Sequence, residues 1–170
     1  MVKLSLWLSR FCKHLCTSAA SGKRAFPVAA QKIIQAAIAT GEKCHRAQVR
    51  LIVEPALPLG ALIEKISSRE RARELFAHHR IWDTEENVGI LIYINLADRK
   101  VEIITDRSVG RVLHANDWYA VCQTMTSGFA LGNFCDSAVD GIKLMNDLLL
   151  QHFPRQGSSS NELSNKPLIL

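Results

Sequence analysis

WDTEENVGILIYINLADRKVEIITDR, residues 82–107, runs from an acidic loop through an apolar segment and a tight polar turn into a second segment that ends on an acid. Val88 to Ile94 is rich in β-branched and aromatic residues with no polar break, which suits a strand buried on both faces better than so short a helix. Leu96 to Lys100 supplies a turn. Beyond it Val101, Ile103 and Thr105 alternate with Glu102, Ile104 and Asp106, the pattern of a second strand. Together they predict an antiparallel hairpin at the centre of a sheet. Its geometry brings the loop before the first strand (Asp83, Glu85, Glu86, Asn87) to the same edge as Asp106 and Arg107, where the second strand leaves.

Upstream, Gln48 to Glu54 alternates Val49, Leu51 and Val53 with polar neighbours and is closed by Pro55 and Pro58, so it predicts an earlier strand. Between the two strands, Ser67 followed three residues later by Glu70 is a capping-box signature. The helix it opens carries Ala72, Leu75, Phe76 and His79 inward and Arg69, Glu70 and Arg73 outward. A strand, a helix and a strand in that order predict a right-handed parallel crossover, so the sheet is mixed. Pro27 opens another helix, with Ala30, Ile33, Ile34, Ala37 and Ile38 as its buried stripe and Gly41 at its end. After the hairpin, Asn116 is expected to cap a helix bearing Trp118, Val121, Cys122, Met125 and Phe129. Gly128 to Asn133 breaks it, and a last helix turns Ala138, Ile142, Met145 and Leu149 inward until Pro154. The expected fold is an α/β three-layer α/β/α sandwich, a small mixed sheet of about three or four strands with helices on both faces.

The bulk composition suits one domain. Its expected limits are 25–154, between a basic N-terminal segment, 1–24, and a flexible C-terminal tail, 155–170, whose Leu168, Ile169 and Leu170 are apolar enough to dock. The formal charge of +5 belongs to the front of the chain. Residues 51–170 are slightly acidic and carry no basic-aromatic stripe, which excludes nucleic-acid binding. Cys12, Cys16, Cys44, Cys122 and Cys135 are an odd number without disulfide-framework spacing, as in a reducing compartment. In residues 3–16, Arg10 and Lys13 interrupt any signal-like apolar run, and no stretch approaches the ~20 apolar residues of a spanning helix. Leu4, Trp7, Leu8, Phe11 and Leu15 instead follow helical spacing, with Lys3, Arg10 and Lys13 turned elsewhere. Such a helix either lies on an anionic membrane surface, helped by Lys23 and Arg24, or packs on its own domain. The expected location is cytoplasmic, peripheral on the inner face of the membrane.

The ordered set Trp82-Asp83-Thr84, Glu86 to Tyr93 (ENVGILIY), Ala97 to Ile104 (ADRKVEII) and Asp106-Arg107 resembles the TPM-domain family, sometimes labelled a phosphatase domain. The likeness spans about Phe26 to Phe153. The family's usual Asn-Asn-Gly turn reads Asn87-Val88-Gly89 here. Long members carry a secretory signal, a membrane helix and a Gly-rich tail, and this chain looks like the short bacterial form without them. The resemblance implies an α/β/α sandwich and, for some relatives, acid phosphatase activity, bound calcium or membrane-protein accessory roles.

Three chemistries fit the acidic edge. Asp83, Glu85, Glu86 and Asp106 are candidate oxygen ligands for Ca2+ or another divalent cation, which takes six to eight oxygens. Asp83 and Asp106 are candidate catalytic groups of a phosphomonoester hydrolase, as nucleophile or metal ligand, with Arg107 holding the phosphate. The third reading asks least of the residues: a non-enzymatic accessory domain at the membrane surface that binds a protein or small ligand. Cys44 and Arg50 have the spacing of a Cys-x5-Arg loop, but a helix runs into a strand there, the reverse of what a phosphate cradle needs.

Overall fold

The computed structural model describes residues 2–157 and 160–170, with side chains from residue 7 onward. Its sheet has the order β3-β2-β1-β4, built from β1 (Gln48–Glu54), β2 (Gly89–Asn95), β3 (Lys100–Thr105) and β4 (Leu168–Ile169). β2 lies parallel to β1 and antiparallel to β3, as the crossover and hairpin require. β4 pairs parallel with β1, Ile52 opposite Leu168, so the apolar C-terminal residues do dock.

Every residue of β2 is buried, because helices cover both sides of it. Ile90, Ile92 and Ile94 face one core with α3 (Val28–Gly41), α7 (Tyr119–Ala130) and α8 (Phe134–His152). Leu91 and Tyr93 face a second with α5 (Ser68–His78). Gly89 is a glycine of necessity, since a Cβ there would stand 1.8 Å from the Ile81 carbonyl oxygen. The capping box of α5 forms as its sequence dictates: Ser67 accepts from the Glu70 amide and Glu70 reaches back to the Ser67 amide.

Several local expectations give way. The basic N-terminal segment is not one helix: after α1 (Val2–Cys16) ends, Ser18 stands at the N-cap of a separate α2 (Ala19–Ala25), where alanines favour helix. Asn116 does not cap α7, whose N-cap is Trp118, and α7 runs on through Gly128 to Ala130. Ile33 is 54% exposed, leaving Ala30, Ile34 and Ile38 as the buried stripe of α3. Short α4 (Leu59–Ile63) and α6 (Arg107–Gly110) carried too little periodicity to be read.

α1 (Val2–Cys16) packs on its own domain. Phe11 joins a small cluster with Leu57, Ala61 and Leu62, and the Trp7 indole donates to the Leu62 carbonyl. Arg10, expected on the outer side, turns inward beside them because the half-buried carboxylate of Asp98 waits there. Leu8 and Leu15 stay exposed, at 49% and 65%. The Lys3 and Leu4 side chains lie outside the described residues. No helix among the described residues is long and apolar enough to cross a membrane.

Candidate functional site

The hairpin places the acidic loop and the end of β3 side by side. The Asp106 amide donates to the Gly89 carbonyl and the Ser108 amide to the Asn87 carbonyl, both within 3.1 Å. Thr84, buried, closes the loop by accepting from the Val88 amide. Asn87 takes a left-handed φ of 55°, which an asparagine tolerates. The Arg107 guanidinium donates to Asn87 Oδ1 at 2.8 Å and the Ser108 hydroxyl to the Glu86 carbonyl. Asp106 caps α6: its Oδ1 accepts from the Arg107 amide at 2.7 Å. Its Oδ2 is buried with no hydrogen-bond partner among the described residues.

The remaining acids of this rim go elsewhere. Glu86 forms an ion pair with Arg46. Asp83 and Glu85 are exposed, and the Glu85 amide donates to the carboxylate of Glu162, which the C-terminal segment brings in. Among the described residues no three of His, Cys, Asp and Glu gather closely enough to hold a metal ion. A hard cation needs six to eight oxygens, and this rim offers one uncommitted buried oxygen, on Asp106, with a guanidinium nearby. In this arrangement the rim's described carboxylates point to separate partners or to solvent rather than to one common centre. For hydrolysis, a nucleophile must be reachable: the free oxygen of Asp106 is buried, whereas Asp83 is open to water.

A second polar centre occupies the opposite end of the sheet, where β1 and β2 finish. The parallel register sets Glu54 beside Asn95. Glu54, 3% exposed, takes a forked contact from Arg71 of α5, with Nη2 at 2.8 Å, and a hydrogen bond from the Tyr93 hydroxyl at 2.6 Å. Asn95, fully buried, donates to that hydroxyl and accepts from the Asp98 amide in the hairpin turn. The Asp98 carboxylate then receives Arg10 through two nitrogens at 2.9 and 2.8 Å, the Ser68 hydroxyl at 2.8 Å, and His14 Nε2 at 3.1 Å. His14 Nδ1 accepts from the Leu57 amide, so the ring proton sits on Nε2, facing Asp98.

These contacts set the protonation states. Burial alone would raise the Asp98 carboxyl, but the hydrogen bonds from Arg10, His14 and Ser68 outweigh it and hold the group well below the usual carboxylate range. The hydrogen bond to Glu54 raises Arg71, and burial next to Glu54 raises the Tyr93 hydroxyl far above an ordinary phenol. Asp98 is therefore ionised, Arg71 cationic and Tyr93 neutral through the physiological range. Sequence reading found the first rim and missed this one. Its signal was present, since in-phase parallel pairing puts the polar ends of two apolar strands, Glu54 and Asn95, together at one edge.

Comparison with known proteins matches residues 24–148 to the family model of the TPM domain. The fold is similar to the NMR structure of the BA42 protein from the psychrophilic bacterium Bizionia argentinensis, with a TM-score of 0.74 at 25% identity over 84% of this chain and 94% of that one. It is also similar to the N-terminal domain of a protein from P. gingivalis, with a TM-score of 0.59 at 13% identity over 76% and 82% of the two chains, a likeness of fold alone. No curated protein matches the chain.

Proposed function

The chain belongs to the TPM-domain family, and on that premise we propose that it is a non-enzymatic accessory domain that acts by binding, held at an anionic membrane surface by α1. The observation that carries the reading is the division of α1 into two faces. Trp7, Arg10, Phe11 and His14 fasten the helix to the domain. Leu8, Cys12, Leu15 and Cys16, at helical spacing, remain exposed on the other side. Besides Arg10, which Asp98 neutralises, residues 2–41 contain Lys3, Lys13, Lys23, Arg24 and Lys32 and no acid. An apolar stripe beside basic residues suits the surface of an anionic bilayer, where each cation contributes about 1 kcal/mol.

Flotation with vesicles tests this. The protein is expected to float with phosphatidylglycerol-containing vesicles and to stay behind with phosphatidylcholine alone. Leu8→Gln with Leu15→Gln, exposed positions whose change spares the fold, should abolish flotation. Equal behaviour on both lipids, or an unaffected double variant, contradicts the reading. Deleting α1 is a poorer test, because it strips Asp98 of Arg10 and His14.

The alternative is a metal-assisted acid phosphatase with Asp83, Asp106 and Arg107 as its catalytic groups. What favours it is Asp106, whose Oδ1 stands 3.9 Å from Arg107 Nε while its Oδ2 has no hydrogen-bond partner among the described residues, with Asp83 as the carboxylate open to water. Phosphate release from a generic phosphomonoester that depends on a divalent cation and is lost in Asp106→Asn would replace the accessory reading with this one.

A further inference from the structure

Beside the Glu54–Asp98 network, the carboxyl end of β2 opens into a cavity of about 540 Å3, within the roughly 300–1,000 Å3 of small-molecule sites. Its wall is largely apolar, with Ile94, Leu96, Phe129 and Phe134. The Phe129 and Phe134 rings stack with centroids 5.4 Å apart. The charged groups lining it are of one sign: Arg24 from α2 and Arg99 from the hairpin turn, with no Asp or Glu. Neither guanidinium has a hydrogen-bond or ion-pair partner among the described residues. Arg10, Arg46, Arg69 and Arg71, by contrast, each meet a carboxylate.

Two uncommitted guanidiniums beside an apolar wall favour an anion and oppose a metal cation, and a guanidinium fork matches a carboxylate or a phosphate. The wall would be wasted on a bare inorganic ion. The place in the fold agrees, since open α/β sheets bind ligands outside the carboxyl ends of their parallel strands. We propose that this cavity binds a small organic anion, its carboxylate or phosphate head held between Arg24 and Arg99 and its aliphatic or aromatic body laid against Phe129 and Phe134. The inference does not depend on whether α1 meets a bilayer.

Isothermal titration with four probes tests it: octanoate, octyl phosphate, octanol and inorganic phosphate. At least one octyl anion should bind, the tighter of the two naming the head group, with octanol and inorganic phosphate at least tenfold weaker. Arg24→Gln and Arg99→Asn should each weaken the octyl anion at least fivefold; Asn suits position 99 because its φ is 53°. On the wild-type protein, amide shifts should concentrate at Asn95, Leu96 and Phe134. The proposal fails if neither anion binds at millimolar concentration, if octanol binds as tightly, if both variants bind like wild type, or if the shifts fall elsewhere.

Discussion

At the carboxyl end of β1 and β2, Glu54 and Asp98 are shielded from water and each is met by a forked guanidinium. At the amino end of β2, Asp83 and Glu85 stand in solvent, Glu86 leans on an exposed arginine, and Asp106 spends its one engaged oxygen capping a helical turn. The richer cluster of acids in the sequence is thus the less constrained in space. Burial, not the number of carboxylates, decides where charge has structural consequence, because a desolvated charge must be paired while a hydrated one need not be.

The contrast can be broken most forcefully at Arg71. Arg71→Met keeps the stem but leaves Glu54 buried without its cation, and should cost about 4 kcal/mol in urea unfolding; a loss below about 1 kcal/mol would mean that Glu54 reaches water. Glu42 sharpens the comparison as a second buried acid of the amino end, besides Asp106. Burial pushes its carboxyl up to about 7 despite hydrogen bonds from the Val49 amide and Asn165. The folded state then holds a proton that the unfolded chain releases, so stability is greatest below the ordinary carboxylate pKa and falls as pH rises towards 7. The expected loss is on the order of 3 kcal/mol, and Glu42→Gln should flatten that slope. Asp98 titrates the opposite way: its depressed pKa gives stability that is present above the ordinary carboxylate range and lost as pH falls through and below it.

Asp98→Asn should cost about 2 kcal/mol and hasten proteolysis within α1, because the helix loses its charged anchor. Protease resistance equal to wild type would show that Trp7 and Phe11 suffice. Asp83→Asn and Glu85→Gln form the smallest arm, each expected within about 0.5 kcal/mol of wild type. A large change there would reveal an interaction the exposed carboxylates do not display.

The hairpin, the crossover and the capping box were legible because each rests on a local rule: alternation, strand-helix-strand order, and the Ser67–Glu70 spacing. The edge where Asn87 meets Ser108 was legible too, since antiparallel pairing dictates it. The arrangement of the acids along that edge was not, because Arg46, which draws Glu86 away, lies in a different part of the chain. The inward turn of Arg10 was hidden for the same reason, its partner Asp98 being 88 residues away. Helical periodicity sorts apolar from polar, and it misplaces a charged residue whose buried counter-charge comes from another element. The cavity depends on how α2, the turn after β2 and the α7–α8 connection meet, which no local pattern encodes.

On this reading ligand chemistry resides at the carboxyl end of the parallel strands rather than at the acidic rim. Titrations of two aliquots of one nitrogen-labelled preparation, one with the tighter-binding octyl anion and the other with calcium chloride, decide between the two ends. The account predicts that the anion moves the amides of Asn95, Leu96 and Phe134 while millimolar calcium leaves those around Asp83 and Asp106 in place. An anion that leaves the cavity amides unmoved, with calcium shifting the rim, would contradict it.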